Sequence, residues 1–323
     1  MKRLLLADNF PDKAGREIIM ELKGPKVKDY IAKFIVEPGK QVRLKDFKTG
    51  WAENEQMKKL GEDKSKDLLV EMLEKDRSAL AAVQDLLWSS RTHAVLIILQ
   101  GMDTAGKDGT IRHVMSGVNP QGCSVHGFKV PSTQEHNHNF LWRYSNVLPE
   151  RGEIGIFNRS YYEDVLVTRV HPNIISGFPK DIGPDADGFW KGRYYDINAF
   201  EEHLIRNGTL ILKFFLHISK DEQKRRLLDR LEHKEKYWKF SVADLTERQF
   251  WDNYIKVYEK MLEATSTDIA PWFVIPGDYK WVARTAVAEA VVTAIKGLNL
   301  SYPSVSDDEI KRLMEAKKKL QAE

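Results

Sequence analysis

Residues 93–110 read HAVLIILQGMDTAGKDGT, and everything else in the chain is placed relative to this stretch. Ala94 to Leu99 are all apolar and rich in β-branched and aliphatic side chains, the pattern of a strand buried on both faces of a parallel sheet. A glycine-rich turn follows at once. Gly101, four further residues, then Gly106 and Lys107 give the G-x-x-x-x-G-K spacing, in which backbone N–H groups and a helix N-terminus face a phosphate. Lys107 supplies a mobile point charge, and a helix over Ile111 to Ser116 completes the context. The expected phosphate-binding set is Gly101, Ala105, Gly106, Lys107, Asp108, Gly109, Thr110 and, from a later strand, Asn158.

One position departs from the usual pattern. Where a Ser or Thr normally follows the lysine and ligates Mg²⁺, this chain has Asp108, and the nearest hydroxyl is Thr110. Asp103, inside the loop, is the expected substitute, because a carboxylate is a good ligand for a hard cation and is out of place in a loop built only to attract phosphate. A merely tight strand-to-helix connection is the alternative, and the agreement of strand, spacing, lysine and helix argues against it.

The whole chain sets the bounds. Its 323 residues are 42% hydrophobic and 30% charged, ordinary for a globular protein. No segment approaches the roughly 20 apolar residues that span a bilayer, and Leu4 to Ala7 is too short for a signal-peptide core. Cys123 is the single cysteine, which rules out an internal disulfide and suits a reducing cytoplasm. Lys plus Arg number 50 against 47 Asp plus Glu, a net +3 that is not the charge of a dedicated nucleic-acid binder. Lys220 to Lys239 alone carries eight basic against five acidic residues, so a polyanion site is expected to involve it.

Residues 1–60 are read as an extension wrapped on the core, with a short strand at Gln41 to Leu44. Residues 61–300 are read as the core domain, and 301–323 as a peripheral helix opened by a capping box at Ser306. A long amphipathic helix is expected from about Lys64 to Ser90. Further strands are expected at Cys123 to Phe128, Glu153 to Asn158, Thr209 to His217 and Pro271 to Ile275. Helical patterns at Glu135 to Leu148 and Asp244 to Leu262 fall between them, the second carrying an aromatic stripe read as core. Strands alternating with helices argue a doubly wound parallel α/β sheet, with ligands at the carboxyl ends of its strands.

The third strand ends in Asn158-Arg159-Ser160-Tyr161-Tyr162-Glu163-Asp164. Phosphoryl transfer needs cations on the developing charge and an aligned acceptor more than covalent help. Arg159 is expected to stabilise the transferring group and Asp164 to be a second metal carboxylate. Glu163 ranks lower, being about 100° away around an α-helix, and with Ser160 it fits a capping box. Arg225, Arg226 and Arg230 follow the fourth strand, where nucleotide kinases carry a mobile lid, here about 220–242. His136 and His138 lack partners at zinc-like spacing and are read as surface or capping residues; Cys123 is read as buried and inert.

Taken together, Gly101 to Thr110, Val118-Asn119-Pro120-Gln121-Gly122, Leu148-Pro149-Glu150-Arg151-Gly152, Phe157 to Val167 and Tyr237-Trp238-Lys239-Phe240-Ser241 closely resemble the family-2 polyphosphate kinases, in order, from roughly residue 30 to 300. The chain departs from many relatives at His233-Lys234. The resemblance implies a P-loop nucleotide-kinase-like three-layer sandwich with a central parallel sheet and a helical lid. It implies reversible Mg²⁺-dependent phosphoryl transfer between inorganic polyphosphate and adenine or guanine nucleotides. Asp103, Lys107, Arg159 and Asp164 would be catalytic, Asp103 and Asp164 the metal ligands, and Lys129 and Arg143 candidates for a polyphosphate groove. Gly106 to Gly109 and Val170 to Pro172 look like the subgroup acting on both AMP and ADP. A homo-oligomer, dimer or tetramer, with no nucleic-acid or membrane partner, is expected. The competing readings are an ATP-dependent small-molecule or nucleoside kinase and a nucleotide-gated binding protein of the same loop type.

Overall fold

The computed structural model describes residues 31–52, 55–175, 178–179 and 181–323. At its centre lies the strand that the opening stretch predicts, β1 (Ala94–Gly101), buried at every residue. Four more strands run parallel to it: β2 (Cys123–Gly127), β3 (Ile154–Asn158), β4 (Thr209–His217) and β5 (Trp272–Pro276), in the order β2-β3-β1-β4-β5. Val95 lies opposite Ile154 on one side and Leu210 on the other. The chain therefore reverses its direction of travel across the sheet beside β1, and ligands of such sheets bind at that reversal, off the carboxyl ends of the strands.

Helices cover both faces. α1 (Glu62–Ser90) buries Leu69, Leu73, Leu80, Val83 and Leu87, a spacing of three and four that keeps one face inward. α2 (Lys107–Val114) leaves the glycine-rich loop. α3 (Phe189–Arg206), α4 (Lys220–Glu232), α5 (Val242–Gln249), α6 (Trp251–Thr265) and α7 (Lys280–Gly297) follow, and α8 (Asp307–Gln321) buries no residue. The aromatic stripe is core: Trp251, Tyr254, Tyr258, Met261 and Leu262 are all buried. Among the described residues no helix is long and apolar enough to cross a membrane.

Residues ahead of α1 extend the sheet's far edge. Val36 N–H donates to Trp272 O and Val274 N–H to Phe34 O, each at 2.8 Å, so the open edge of β5 is covered. Residues 1–30 of the proposed extension lie outside the described residues. The strand expected at Gln41 to Leu44 is instead a 3-10 turn, Leu44–Asp46, whose first amide is taken by Glu259 Oε1 at 2.8 Å. The helix expected over Glu135 to Leu148 is two short ones, Thr133–His136 and Trp142–Ser145, because Asn139 Oδ1 accepts from Leu141 N–H at 3.0 Å and offers the backbone a turn in place of a helix. The helical pattern at Asp244 to Leu262 breaks at Phe250 into α5 and α6.

The expected P-loop nucleotide-kinase-like sandwich under a helical lid is corrected. The observed architecture is an α/β fold with a central parallel sheet and flanking helical regions. The ammonium of Lys107 turns back to the carbonyls of Gly101 and Met102, at 2.7 and 3.3 Å, and the next residue, Asp108, accepts from Asn158 Nδ2 at 2.6 Å, where that fold class presents a metal-binding hydroxyl. Within the region read as a lid, Arg226 of α4, 7% exposed, is bonded to carbonyls of the glycine-rich loop and of the segment after β5, whereas Leu228, Leu231, Tyr237, Trp238 and Val242 are exposed.

Candidate functional site

The site begins where β1 ends. Gly101 adopts a φ of 156° and Gly106 one of 102°; a Cβ on Gly101 would stand 2.8 Å from Leu216 O on β4, so only glycine lets the loop leave the sheet here. The loop then turns into α2, whose first residue is Lys107. Burial, and after it the like charge of Arg159, pushes the Lys107 ammonium down to about 8, while Asp103, Glu163 and Asp108 pull it up. Its loop-carbonyl bonds hold the ammonium over the loop's own backbone.

Arg159, the residue after β3, sits at φ 66°, a left-handed conformation that costs of order 1–3 kcal/mol for a non-glycine residue. Its amide is held by Leu99 O at 3.1 Å. The guanidinium bridges two carboxylates, with Nη2 3.0 Å from Asp103 Oδ1 and Nη1 3.6 Å from Glu163 Oε2. The elements that meet here are the ends of β1 and β3, adjacent in the sheet.

Residues Tyr161–Val165 form a 3-10 helix rather than an α-helix, and this changes which carboxylate faces where. Ser160 Oγ accepts from Tyr162 N–H at 3.3 Å, so the expected capping box with Glu163 does not form. Glu163 instead joins Arg159, and the amide of Gln100, turned with its nitrogen toward the carboxylate, donates to Oε1 at 2.9 Å while its oxygen accepts from Ser160. Burial raises the Glu163 carboxyl, against the pull of Arg159 and Lys107. Asp164 accepts from Tyr144 OH at 3.3 Å; burial pushes it up to about 6, with Arg193 opposing.

Beneath the turn lies a network that sequence reasoning missed. Tyr161 and Tyr162 both donate to Glu201 Oε1, at 2.8 and 2.7 Å, and Glu201 Oε2 pairs with Lys213 Nζ at 2.6 Å with both side chains almost fully buried. Lys213 also donates to Thr265 O at 2.7 Å. The signal was a lone lysine inside the apolar run TLILKFFLH, since a charge is buried only when paired.

A cavity of 1280 Å³ opens beside Arg159, Glu163 and Asp164. Lys129 and Arg143 line it, Arg143 donating to Lys129 O at 3.0 Å and standing 3.2 Å from Glu135. His136 and His138 line it too; His138 bonds Gln134 O and stacks on Trp142. Of the other sequence candidates, Thr110 is buried and Gly109 abuts Arg284. Ala105 O accepts from Arg226. Arg225 is held by Glu222 and Arg230 by Lys239 O. Arg226 makes bonds of 2.9 and 3.0 Å to Thr104 O and Ala105 O and of 2.6 and 3.0 Å to Gly277 O and Asp278 O, so it clamps the loop from behind. Burial pushes the Cys123 thiol up to about 11, which keeps it inert.

The donors near Arg159 are of the chemical kind that magnesium takes. Asp103, Glu163 and Asp164 present only hard oxygens, and Asp103 raises Glu163 as Glu163 raises Asp164, a mutual repulsion that a cation would relieve. Among the described residues no group of three or more His, Cys, Asp or Glu is placed to hold a metal ion, and Mg²⁺ is ordinarily held by one or two carboxylates together with substrate phosphates and water.

A glycine-rich loop at the carboxyl edge of a parallel sheet, a bridging arginine and opposed carboxylates define a phosphate-handling α/β enzyme. A family model for polyphosphate kinase 2 matches residues 63–302, and the chain belongs to that family, whose members carry out polyphosphate-dependent nucleotide phosphotransfer. It is 46% identical to an ADP-polyphosphate phosphotransferase of Rhodopseudomonas palustris over 87% of this chain and 99% of the relative. It is 47% identical to an AMP/ADP-polyphosphate phosphotransferase of Meiothermus ruber over 69% of this chain and 80% of that one. The crystal structure of polyphosphate kinase 2 from Arthrobacter aurescens superposes with a TM-score of 0.70 at 40% identity, covering 78% of this chain and 88% of that one. The fold is thus the one shared with solved polyphosphate kinase 2 chains, which overturns its description as a P-loop nucleotide kinase.

Proposed function

We propose that this chain catalyses reversible, Mg²⁺-dependent transfer of the terminal phosphoryl group of inorganic polyphosphate to AMP and ADP. The observation that carries the reading is the Arg159 guanidinium, held between Asp103 and Glu163 at the mouth of a cavity large enough for a nucleotide. A phosphate oxygen of the nucleotide attacks the terminal phosphorus of polyphosphate; one P–O bond forms as the bridging P–O bond breaks, and the electron pair leaves on the shortened chain. The transferred group is nearly metaphosphate-like, so catalysis rests on alignment and on charge placed around it.

Lys107 and the loop amides hold phosphate, Lys107 leaving its carbonyl contacts to do so. Arg159 meets the developing charge on the equatorial oxygens. Asp103 and Asp164 would hold magnesium, which would supply positive charge against the phosphate groups during transfer. Lys129 and Arg143, which line the cavity, would hold the polyanion.

Nucleotide product analysis tests this, with Mg²⁺, long-chain polyphosphate and either AMP or ADP, and no ATP added. The expected result is ADP from AMP and ATP from ADP. Product from ADP alone would restrict the acceptor to diphosphates, and activity only with ATP and a small acceptor would overturn polyphosphate as donor.

A further inference from the structure

The cavity beside the catalytic carboxylates has a cation on its wall that the reaction described above does not use. Arg193 lies in the first turn and a half of α3, is 8% exposed and lines the cavity. Its guanidinium carbon stands 4.0 Å from the ring centroid of Phe140, 5.1 Å from Phe189 and 5.6 Å from Phe178. Three rings therefore fix the side chain in place, but its Nη1 has no hydrogen-bond partner among the described residues. A buried, unpaired guanidinium N–H is costly, and a ligand oxygen removes the cost.

A helix end adds to the pull of Arg193 on an anion, against the carboxylates Asp164, Asp181, Asp187 and Asp196 that share the cavity wall. Gly188, at φ 84°, precedes α3 with no side chain capping the helix, so the positive end of an 18-residue helix opens on the same cavity wall, where Gly188, Phe189 and Gly192 also lie. Asp164 and Asp196 are the carboxylates whose charge reaches Arg193, and Asp164 places it toward the reacting edge. Phe140, Phe178 and Phe200 give the cavity apolar wall that a nucleobase fills and an inorganic chain does not need.

We propose that Arg193 and the start of α3 form a second phosphate subsite, distinct from the glycine-rich loop, which binds the phosphate nearest the ribose of the acceptor nucleotide. This rests on the phosphotransfer reading above. It assigns Arg193 to holding the part of the acceptor that is not transferred, so that the outer phosphate oxygen is presented to Arg159. Arg193 then contributes to affinity for the nucleotide and to alignment, and leaves polyphosphate binding to other groups.

The test compares Arg193→Gln and Arg193→Lys with the unaltered protein, each checked by thermal melting. Equilibrium binding of AMP and of adenosine is measured by calorimetry, and KM for AMP and for polyphosphate in the coupled reaction. Arg193→Gln is expected to weaken AMP about ten- to hundredfold, the worth of one hydrogen bond to a charged group, while adenosine binding and KM for polyphosphate stay within about twofold. Arg193→Lys, which keeps the charge and the stem, is expected to recover part of the loss, and it carries the test should the Gln variant not fold. Equal losses for AMP and adenosine would mean that Arg193 only shapes the cavity. A rise confined to KM for polyphosphate would move the subsite to the donor, and unchanged AMP binding would remove it; each overturns the proposal. If the unaltered protein transfers nothing from polyphosphate, the phosphotransfer reading fails, while the comparison of AMP with adenosine still decides the subsite.

Discussion

Arg226 shows how a single residue type can mislead and a single geometry correct it. In sequence it is one of three arginines after the fourth strand, where a mobile phosphate-binding lid is expected. In the structure its guanidinium spends its donors on four backbone carbonyls and on Glu222 Oε1 at 2.6 Å. Replacing it by alanine is expected to leave those carbonyls unpaired and lower stability by about 3–5 kcal/mol, the usual cost of breaking a buried pair. A thermal melt and a turnover assay on Arg226→Ala separate the roles. Stability and activity falling together mark a clamp, whereas lost activity with an unchanged melting temperature would return Arg226 to direct phosphate contact. At this same scale Asp103, Lys107 and Arg159 were legible, since loop spacing and strand ends locate them without knowledge of packing. An α-helical 100° step points Glu163 away from the loop; a tighter 3-10 turn and the left-handed backbone of Arg159 re-aim it. Arg193 was not legible, because what singles it out is an unmatched donor that exists only after the cavity has formed.

Among the elements, α1 and α7 pack along their length and bury a pair of acids. Asp76 of α1 is pushed up to about 8, first by burial, then by a hydrogen bond to and repulsion from Glu289 of α7, with Lys296 opposing. Its Oδ2 has no other hydrogen-bond partner among the described residues, so a proton held between the two carboxyls satisfies both. The sign follows from linkage. The folded state holds this proton more tightly than the unfolded chain, so Asp76 supports stability below its ordinary value near 4, and that support is lost progressively as pH rises to about 8. Denaturant melts from pH 5 to 9 are expected to show Asp76→Asn gaining on the unaltered protein as pH rises, and equal slopes would contradict a shared proton. The five sheet strands are legible within one or two residues, β1, β3 and β5 because buried parallel strands read as apolar runs, whereas the strand expected at Gln41 to Leu44 is a 3-10 turn. The breaks at Asn139 and Phe250 were not: each sits inside a run whose periodicity continues, and local side-chain bonding or a change of packing partner decides where the helix stops.

Across the whole molecule, an alternation of strands and helices predicts a parallel α/β sheet, and the sheet is parallel. The order of its strands, and the anchoring of α4 on the glycine-rich loop, depend on contacts between residues far apart in sequence, such as Val95 with Ile154 and with Leu210 and Arg226 with Thr104. No local pattern carries those contacts, and the fold-class expectation failed on that point. The same long-range closure makes the site: Asp103 comes from the β1 end and Glu163 and Asp164 from the β3 end, and Arg159 holds the two sides in register.

The central claim is that these carboxylates, acting across Arg159, hold the magnesium and the transferring phosphoryl group together. The most direct measurement is turnover of AMP with polyphosphate as Mg²⁺ is titrated, for the unaltered protein, Asp103→Asn and Asp164→Asn. Each variant is expected to keep its melting temperature, because each removes charge and little packing, to lose about 10²–10³ in turnover, and to need more Mg²⁺ for half its maximal rate. Near-normal turnover with an unchanged Mg²⁺ requirement in either variant would contradict the claim.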